Sequence, residues 1–241
     1  MNRVDELINS VKQSLEGLCS ENQSTDIDLS NIPTDLDLGI LSLEGMSGIN
    51  YRIFANRLMT FPINSTYLEV GCWMGSTSIS ALYDNFDVVN KHWIIDNFSE
   101  WGNDGITKKR FHESWNQYIP NNKPNLIDAD CFAINPKEHG IENVSVYFYD
   151  GNHSEECQRK ALTHYYDSMA DSFILLVDDW FPCKTRDNGV IRGTLTAIEE
   201  LGLKIQFKEE VSGCMSRIQT NGVGDPYTWW NGCGVFVLEK K

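Results

Sequence analysis

The apolar run Ile174-Leu175-Leu176-Val177 ends in two consecutive aspartates, Asp178 and Asp179, and the aromatic run Tyr147-Phe148-Tyr149 ends in Asp150. Two successive carboxylates cannot both enter a core. With Asp150 on a neighbouring run they offer three oxygens to a hard divalent cation. Mg2+ fits best, because it is held by few carboxylates and completes its shell with water and substrate. The competing reading is that they cap the loops that follow. His153 stands three residues after Asp150, and a neutral imidazole there could take a proton near pH 7. Its competing reading is a partly exposed histidine at a helix start.

The same sign recurs where other apolar runs end, at Glu69, Asp96 and Asp130. Like charges converging on one crevice repel, so keeping them ionised calls for a compensating cation. Any one of these acids could be a cap; five run ends of one sign are harder to dismiss.

Residues 67–78 read YLEVGCWMGSTS, a strand, a glycine-bearing turn and a helix start with three hydroxyl residues. Gly71 permits a sharp turn and Gly75 a close approach, while the helix start presents free N–H donors. A dinucleotide fingerprint would need glycine where Trp73 stands, and Glu69 before the turn repels a pyrophosphate. The spacing E-x-G-x-x-x-G therefore favours a cationic ligand such as S-adenosylmethionine over NAD; an ordinary strand–helix turn is the alternative.

These residues need a scaffold that brings strand ends together. Short β-rich runs at 67–70, 92–96, 125–128, 144–150, 173–179, 204–211 and 234–239 alternate with helical stretches at 76–83, 108–118, 155–169 and 194–201. Alternation of this kind predicts parallel crossover units, hence an α/β fold: a single Rossmann-like doubly wound sheet of about seven strands with helices on both faces. The connection 212–233 has no helical period, so the last two strands are expected to pair antiparallel at a C-terminal edge. Val4, Leu7, Ile8, Val11, Leu15 and Leu18 predict an amphipathic helix, residues 20–38 a polar loop or cover, and 49–59 a second helix. Residues 1–62 thus form an N-terminal helical extension and 63–241 the ligand-binding domain, one unit overall.

The 241 residues carry a formal charge of −14, with 41% hydrophobic residues. A sizeable core is available, and disorder throughout is excluded. The acidic balance argues against nucleic acid and anionic membrane as partners. Seven cysteines without CxxC spacing suggest free thiols in a reducing compartment. The amphipathic start lacks the apolar segment of a signal peptide, and no run has the ~18 apolar residues of a membrane span, so a cytoplasmic location is expected. Assembly into a homo-oligomer is compatible with the sequence.

LEVGCWMGSTS, IID, DAD, FYDGNHSEE, LLVDDW and NGVIRGTLTAIEELGL together resemble class I S-adenosylmethionine-dependent methyltransferases, in particular the metal-dependent catechol-type and the macrocin-type sugar O-methyltransferases. The resemblance spans roughly residues 45–205. It implies that Glu69, Gly71, Gly75 and Ser76 hold the methionine portion of the cofactor, with Met46 of GMSG beside it. It implies that Asp96 takes the ribose hydroxyls, that Asp130 lies near adenine, and that Asp150, Asp178 and Asp179 bind Mg2+. His153 stands where catechol-type enzymes have a lysine base. Macrocin-type enzymes have an acidic base at the position of Asn152, and asparagine cannot remove a proton. Either His153 does so, or the chain is impaired in catalysis.

The expected activity is Mg2+-assisted O-methyl transfer from S-adenosylmethionine to a small-molecule or sugar hydroxyl, with His153 and Asp150 catalytic. A non-catalytic S-adenosylmethionine-binding protein is the alternative, and a nicotinamide oxidoreductase already suffers from Trp73. Trp73, Trp101 and Trp180 could wall the pocket or belong to the core. Residues 99–124 and 181–193 are expected to set specificity.

Overall fold

The computed structural model describes residues 2–18, 34, 36–61, 65–99, 105–180, 189–211 and 229–241. Helix α1 (Arg3–Leu15) opens on Asn2, whose side chain accepts the Asp5 N–H, and turns Leu7, Val11 and Leu15 inward. That matches the predicted period. A short helix not foreseen from sequence, α2 (Leu38–Leu41), follows the Asp37 cap, whose carboxylate accepts the Gly39 N–H at 2.6 Å. Helix α3 (Ile49–Thr60) is buried nearly all round, as a helix wedged between other elements must be.

Strand β1 (Thr66–Val70), helix α4 (Ser76–Leu82), strand β2 (Lys91–Ile95), helix α5 (Ile106–Tyr118) and the two-residue strand β3 (Leu126–Ile127) form the first half. Strand β4 (Val144–Tyr149), helix α6 (Glu155–Tyr165), strand β5 (Met169–Asp178), helix α7 (Gly189–Glu200), strand β6 (Lys204–Val211) and strand β7 (Cys233–Glu239) form the second. The seven strands order as β3-β2-β1-β4-β5-β7-β6. The first five are parallel, whereas β7 runs antiparallel to both β5 and β6. The expected mostly parallel sheet with an antiparallel edge is the observed one.

Every residue of β1 and β4 is buried, as in a sheet covered on both faces, the polar Thr66, Glu69 and Ser145 included. One face, carrying Tyr67, Ile94, Phe148 and Leu176, packs under α1, α3, α4 and α5. The other, with Leu68, Tyr147, Leu175 and Phe236, packs under α6 and α7. Two boundaries moved. The α6 helix stops at Tyr165 rather than Met169, because Met169 already pairs with Val144 across a register shift in the sheet. Helix α7 starts before 194, and its Gly193 lets the two helices touch: a Cβ there would lie 2.2 Å from the Glu155 carbonyl oxygen.

Strand order reverses between β1 and β4. The chain leaves β1 for one side of the sheet and later returns to the other, so the strand ends part and leave a crevice beyond their carboxyl ends. No helix among the described residues is long and apolar enough to cross a membrane.

Candidate functional site

That crevice is a cavity of about 680 Å3, a size typical of small-molecule sites. Its wall follows the strand ends: Gly71 and Trp73 after β1, Asp96 after β2, Asp130 after β3, Asp150 and His153 after β4, Asp178 and Asp179 at the end of β5. Met46 closes another side. Eight of the eleven site residues named from sequence thus share one cavity, and Trp73 lines it with them. Glu69, Gly75 and Ser76 do not line it.

The β1 turn is held by its neighbours. Gly71 N–H donates to the Ile95 carbonyl at 2.9 Å, and Asp150 N–H donates to the Val70 carbonyl at 2.8 Å. With φ of +87° and a hypothetical Cβ only 2.0 Å from the Asp150 carbonyl oxygen, position 71 admits glycine alone. Gly75, at φ +85°, has a different reason: a Cβ would meet the Phe111 ring at 2.6 Å, so it serves the α4–α5 contact. Ser76 hydroxyl meets Ser47 hydroxyl at 2.9 Å, and Ser47 also accepts from Arg52 Nε at 3.1 Å. Arg52 is 3% exposed and donates through Nη1 to the Ile40 and Leu41 carbonyls. Together they bolt the Gly45–Gly48 segment against α3 and α4, with Met46 at the cavity.

Asp96 accepts two backbone donors, Trp73 N–H at 2.7 Å and Phe98 N–H at 2.6 Å. Asp130 caps its own turn through Phe132 N–H at 2.8 Å, and Ala129, Cys131 and Phe132 give that end an apolar wall. Glu69 is wholly buried at the end of β1. Its Oε2 accepts the Tyr67 hydroxyl at 2.7 Å, while Oε1 has no partner among the described residues. Burial pushes its carboxyl up to about 8, against the opposing hydroxyl of Tyr67, so at neutral pH it is mostly protonated.

Asp150 and Asp178 are held well above the ordinary carboxylate range, by burial first; the Asp178 and Asp179 charges then raise Asp150 and the Asp179 charge raises Asp178, whose hydrogen bond with Asp150 works the other way. Asp150 Oδ, Asp178 Oδ and His153 ring nitrogen all fall within 4.8 Å of one another. The two acids suit a divalent cation, and the imidazole beside them can serve as a third donor or as a base, but not as both at once. His153 Nε2 lies 3.7 Å from Asp150 Oδ1 and 3.6 Å from Asp179 Oδ2. Consecutive Asp178 and Asp179 both reach the cavity because Asp179 adopts a left-handed φ of 53°, which turns the chain at the strand end.

Asn152 accepts Ser154 N–H at 3.0 Å and Ser154 caps α6, so this asparagine shapes the turn that carries His153. Trp180 is core: it is 1% exposed and its indole N–H donates to Glu210 at 2.7 Å. The run Lys108-Lys109-Arg110 pairs with Asp128, Glu113 and Glu44, as a solvated helix face does. Trp101, Cys19, Cys183, Cys214, most of the 20–38 cover, residues 181–188 and most of the 212–233 connection lie outside the described residues.

Several cavity residues escaped the sequence reading, among them Asn97, Phe132 and, just before β7, Trp230 and Asn231. Asn231 Nδ2 donates to Asp179 Oδ1 at 2.7 Å. No local motif marks Trp230 and Asn231; the pairing of β7 beside β5 carries them to the crevice.

No family model matches the chain, and no curated protein matches it. Solved structures do. TrmN of Thermus thermophilus superposes with a TM-score of 0.54 at 13% identity over 84% of this chain; the chain spans about half of TrmN, 52%. An O-methyltransferase of Bacillus cereus, solved with SAH, gives 0.51 at 8% identity over 99% of this chain and 90% of its own. PH1948 of Pyrococcus horikoshii, a candidate RNA methyltransferase, gives 0.51 at 12% identity over 100% and 98%. An O-methyltransferase and a candidate RNA methyltransferase share the architecture, so the fold leaves the acceptor open. What the chain has in common with them is the class I S-adenosylmethionine-dependent methyltransferase fold.

Proposed function

We propose that the protein is an S-adenosylmethionine-dependent O-methyltransferase that acts on a small-molecule or sugar hydroxyl with the help of a divalent cation, Mg2+ in the first instance. The observation that carries this reading is one cavity at the strand-order reversal, ringed by Asp96, Asp130, Asp150, Asp178 and Asp179 and holding His153. A ring of acids suits a sulfonium ligand and a metal ion and repels a pyrophosphate. The cofactor would rest on the Gly71 turn, with Met46 at its methionine end, Asp96 at the ribose and Asp130 with Phe132 at the adenine. When bound, it supplies an activated methyl group and the cation lowers the acceptor hydroxyl's pKa.

The chain's own residues do the rest. Asp150, Asp178 and Asp179 would hold the cation, and the cavity would position the acceptor. His153 Nε2 takes the acceptor's proton, and the imidazolium that forms lies within ion-pair reach of Asp150 and Asp179. Residues 1–62 complete the unit by holding the Met46 segment against the domain formed by 63–241.

A non-catalytic S-adenosylmethionine-binding protein is the second reading, favoured by Asn152, whose side chain is tied into a turn. Incubation with methyl-labelled S-adenosylmethionine and a panel of diols and sugars, with Mg2+ or with EDTA, separates the two. Label transfer that EDTA abolishes supports the proposal; tight SAH binding with no transfer to any acceptor supports the alternative. Methylation of added RNA in place of the small acceptors would overturn the substrate class.

A further inference from the structure

We infer that Glu210, on the edge strand β6, is a positioning residue for the cation site: through the Trp180 indole it holds the strand end that carries Asp178 and Asp179 in the conformation that binds a divalent ion. The inference rests on the metal-assisted reading above. Val177, Gly234 and Glu210 stand in one row across β5, β7 and β6. Asp179, with its left-handed φ of 53°, turns the chain beyond that row, and Trp180 lays its indole back over Gly234. A Cβ on Gly234 would lie 2.5 Å from the ring, so the glycine opens the path across β7.

On the far side of that gap the indole N–H donates to Glu210 Oε1 at 2.7 Å. Lys208 Nζ holds the same oxygen at 2.7 Å and lies 5.4 Å from the centre of the Trp180 ring. Phe236 meets that ring edge-on at 5.1 Å, and the Trp180 backbone N–H donates to the Gly232 carbonyl at 3.4 Å. An exposed lysine–glutamate pair contributes little by itself. Here its carboxylate is also the charge-assisted acceptor of an indole that is 1% exposed and follows both aspartates directly. A ring fixed at its backbone and at its indole nitrogen leaves the preceding turn little freedom, and Asp178 and Asp179 both reach the cavity from that turn. Carboxylates held from behind in this way bind a cation without first having to be ordered.

The test compares wild type with Glu210→Ala, Glu210→Gln and Glu209→Ala, each checked for an unchanged circular dichroism spectrum. Glutamine keeps an oxygen for the indole, and Glu209→Ala removes the same charge from the opposite face of the strand. Three readouts are taken: Mn2+ affinity by electron paramagnetic resonance titration, the metal-free melting temperature, and the Trp180 indole 1H–15N resonance, assigned by its loss in Trp180→Phe. Glu210→Ala is expected to shift that resonance and to weaken Mn2+ binding about tenfold or more. Trp180→Phe, which keeps a ring and removes the N–H, is expected to weaken it likewise, whereas Glu210→Gln and Glu209→Ala stay close to wild type. A melting temperature that falls in Glu210→Ala while Mn2+ affinity holds would make Glu210 structural only and overturn the inference. Equal losses in Glu210→Ala and Glu209→Ala would overturn it too, since charge alone would then account for them. A wild type that binds no Mn2+ would instead overturn the metal-assisted reading, and the inference with it.

Discussion

The Trp73 N–H donates to Asp96 Oδ2 at 2.7 Å, stitching the turn after β1 to the end of β2. The other oxygen of the same carboxylate holds Phe98 N–H at 2.6 Å. Trp73 and Phe98 both have left-handed backbones, φ 46° and 51°, an arrangement that costs roughly 1–3 kcal/mol per residue. Charge-assisted hydrogen bonds to one buried-edge carboxylate offset that cost, which is how an indole stands where a dinucleotide fold needs glycine. Asp96 is thus scaffold and cavity wall at once.

Replacing Asp96 by alanine strands both N–H groups and is expected to destabilise the fold by roughly 2–4 kcal/mol, while Asp96→Asn, which keeps one acceptor, loses less. Urea unfolding followed by circular dichroism measures both. A midpoint for Asp96→Ala equal to wild type would refute the stapling role.

Glu69 makes stability depend on pH in a defined direction. Its folded pKa is raised to about 8 from an ordinary 4.5. Below pH 4.5 both folded and unfolded chains are protonated, and no penalty exists. As pH rises from 4.5 to 8 the unfolded chain releases a proton that the folded one keeps, and this stabilisation is lost progressively. Glu69→Gln should therefore gain roughly 3 kcal/mol over wild type at pH 7 and almost nothing at pH 4.5. Denaturant titrations at the two pH values measure both; equal midpoints for the variant and wild type at pH 7 would refute the buried-acid penalty.

His92 works in the opposite direction. Burial lowers its folded pKa to about 4; its Nε2 accepts the Asn125 N–H at 3.0 Å, and the ring stacks on Trp115 at 5.9 Å. Above pH 6.5 it is neutral whether folded or not. As pH falls from 6.5 to 4 only the unfolded chain takes up the proton, and up to about 3 kcal/mol of stability is lost. In an NMR titration the His92 ring should stay neutral down to about pH 4; a midpoint near 6.5 would contradict its burial.

The Asp150–Asp178 pair should respond to cations. Without one, close burial of two acids favours a shared proton and costs stability; a divalent ion displaces that proton, so its affinity rises with pH. Millimolar MgCl2 or MnCl2 is expected to raise the melting temperature of wild type, by ~2.7 kcal/mol of stability at a hundred times Kd. Asp178→Asn should melt higher than metal-free wild type and lose the cation effect. An EDTA-treated protein that ignores both metals at pH 7 and 8 would remove the metal from the mechanism.

Much of this was legible because backbone polarity leaves a mark at strand ends. An apolar run that halts at an acid, as in ILLVDD, announces a buried strand and the crevice beyond it, and alternating helices announce parallel order. Met169 misled because one residue satisfied two patterns, closing the helical period of α6 while starting β5. Gly193 hid the start of α7, since glycine lowers helix propensity and its reason, contact with Glu155, is tertiary. Glu69, Gly75 and Ser76 were recognised by type, yet their surroundings are made by Tyr67, Phe111 and Ser47, which no local spacing reveals. Asn231 is the extreme case: its partner Asp179 is 52 positions away, and only the completed ladder joins them.

Helix α1 lies against α3 and, on its other side, against β5, β6 and β7, strands separated from it by more than half the sequence. The part of its apolar stripe that α3 leaves open is seated only when residues 233–239 have paired with β5. Contacts this distant in sequence slow folding. That half of the seat is therefore completed late, and until the antiparallel edge closes it leaves apolar surface open to chaperones and to misassociation.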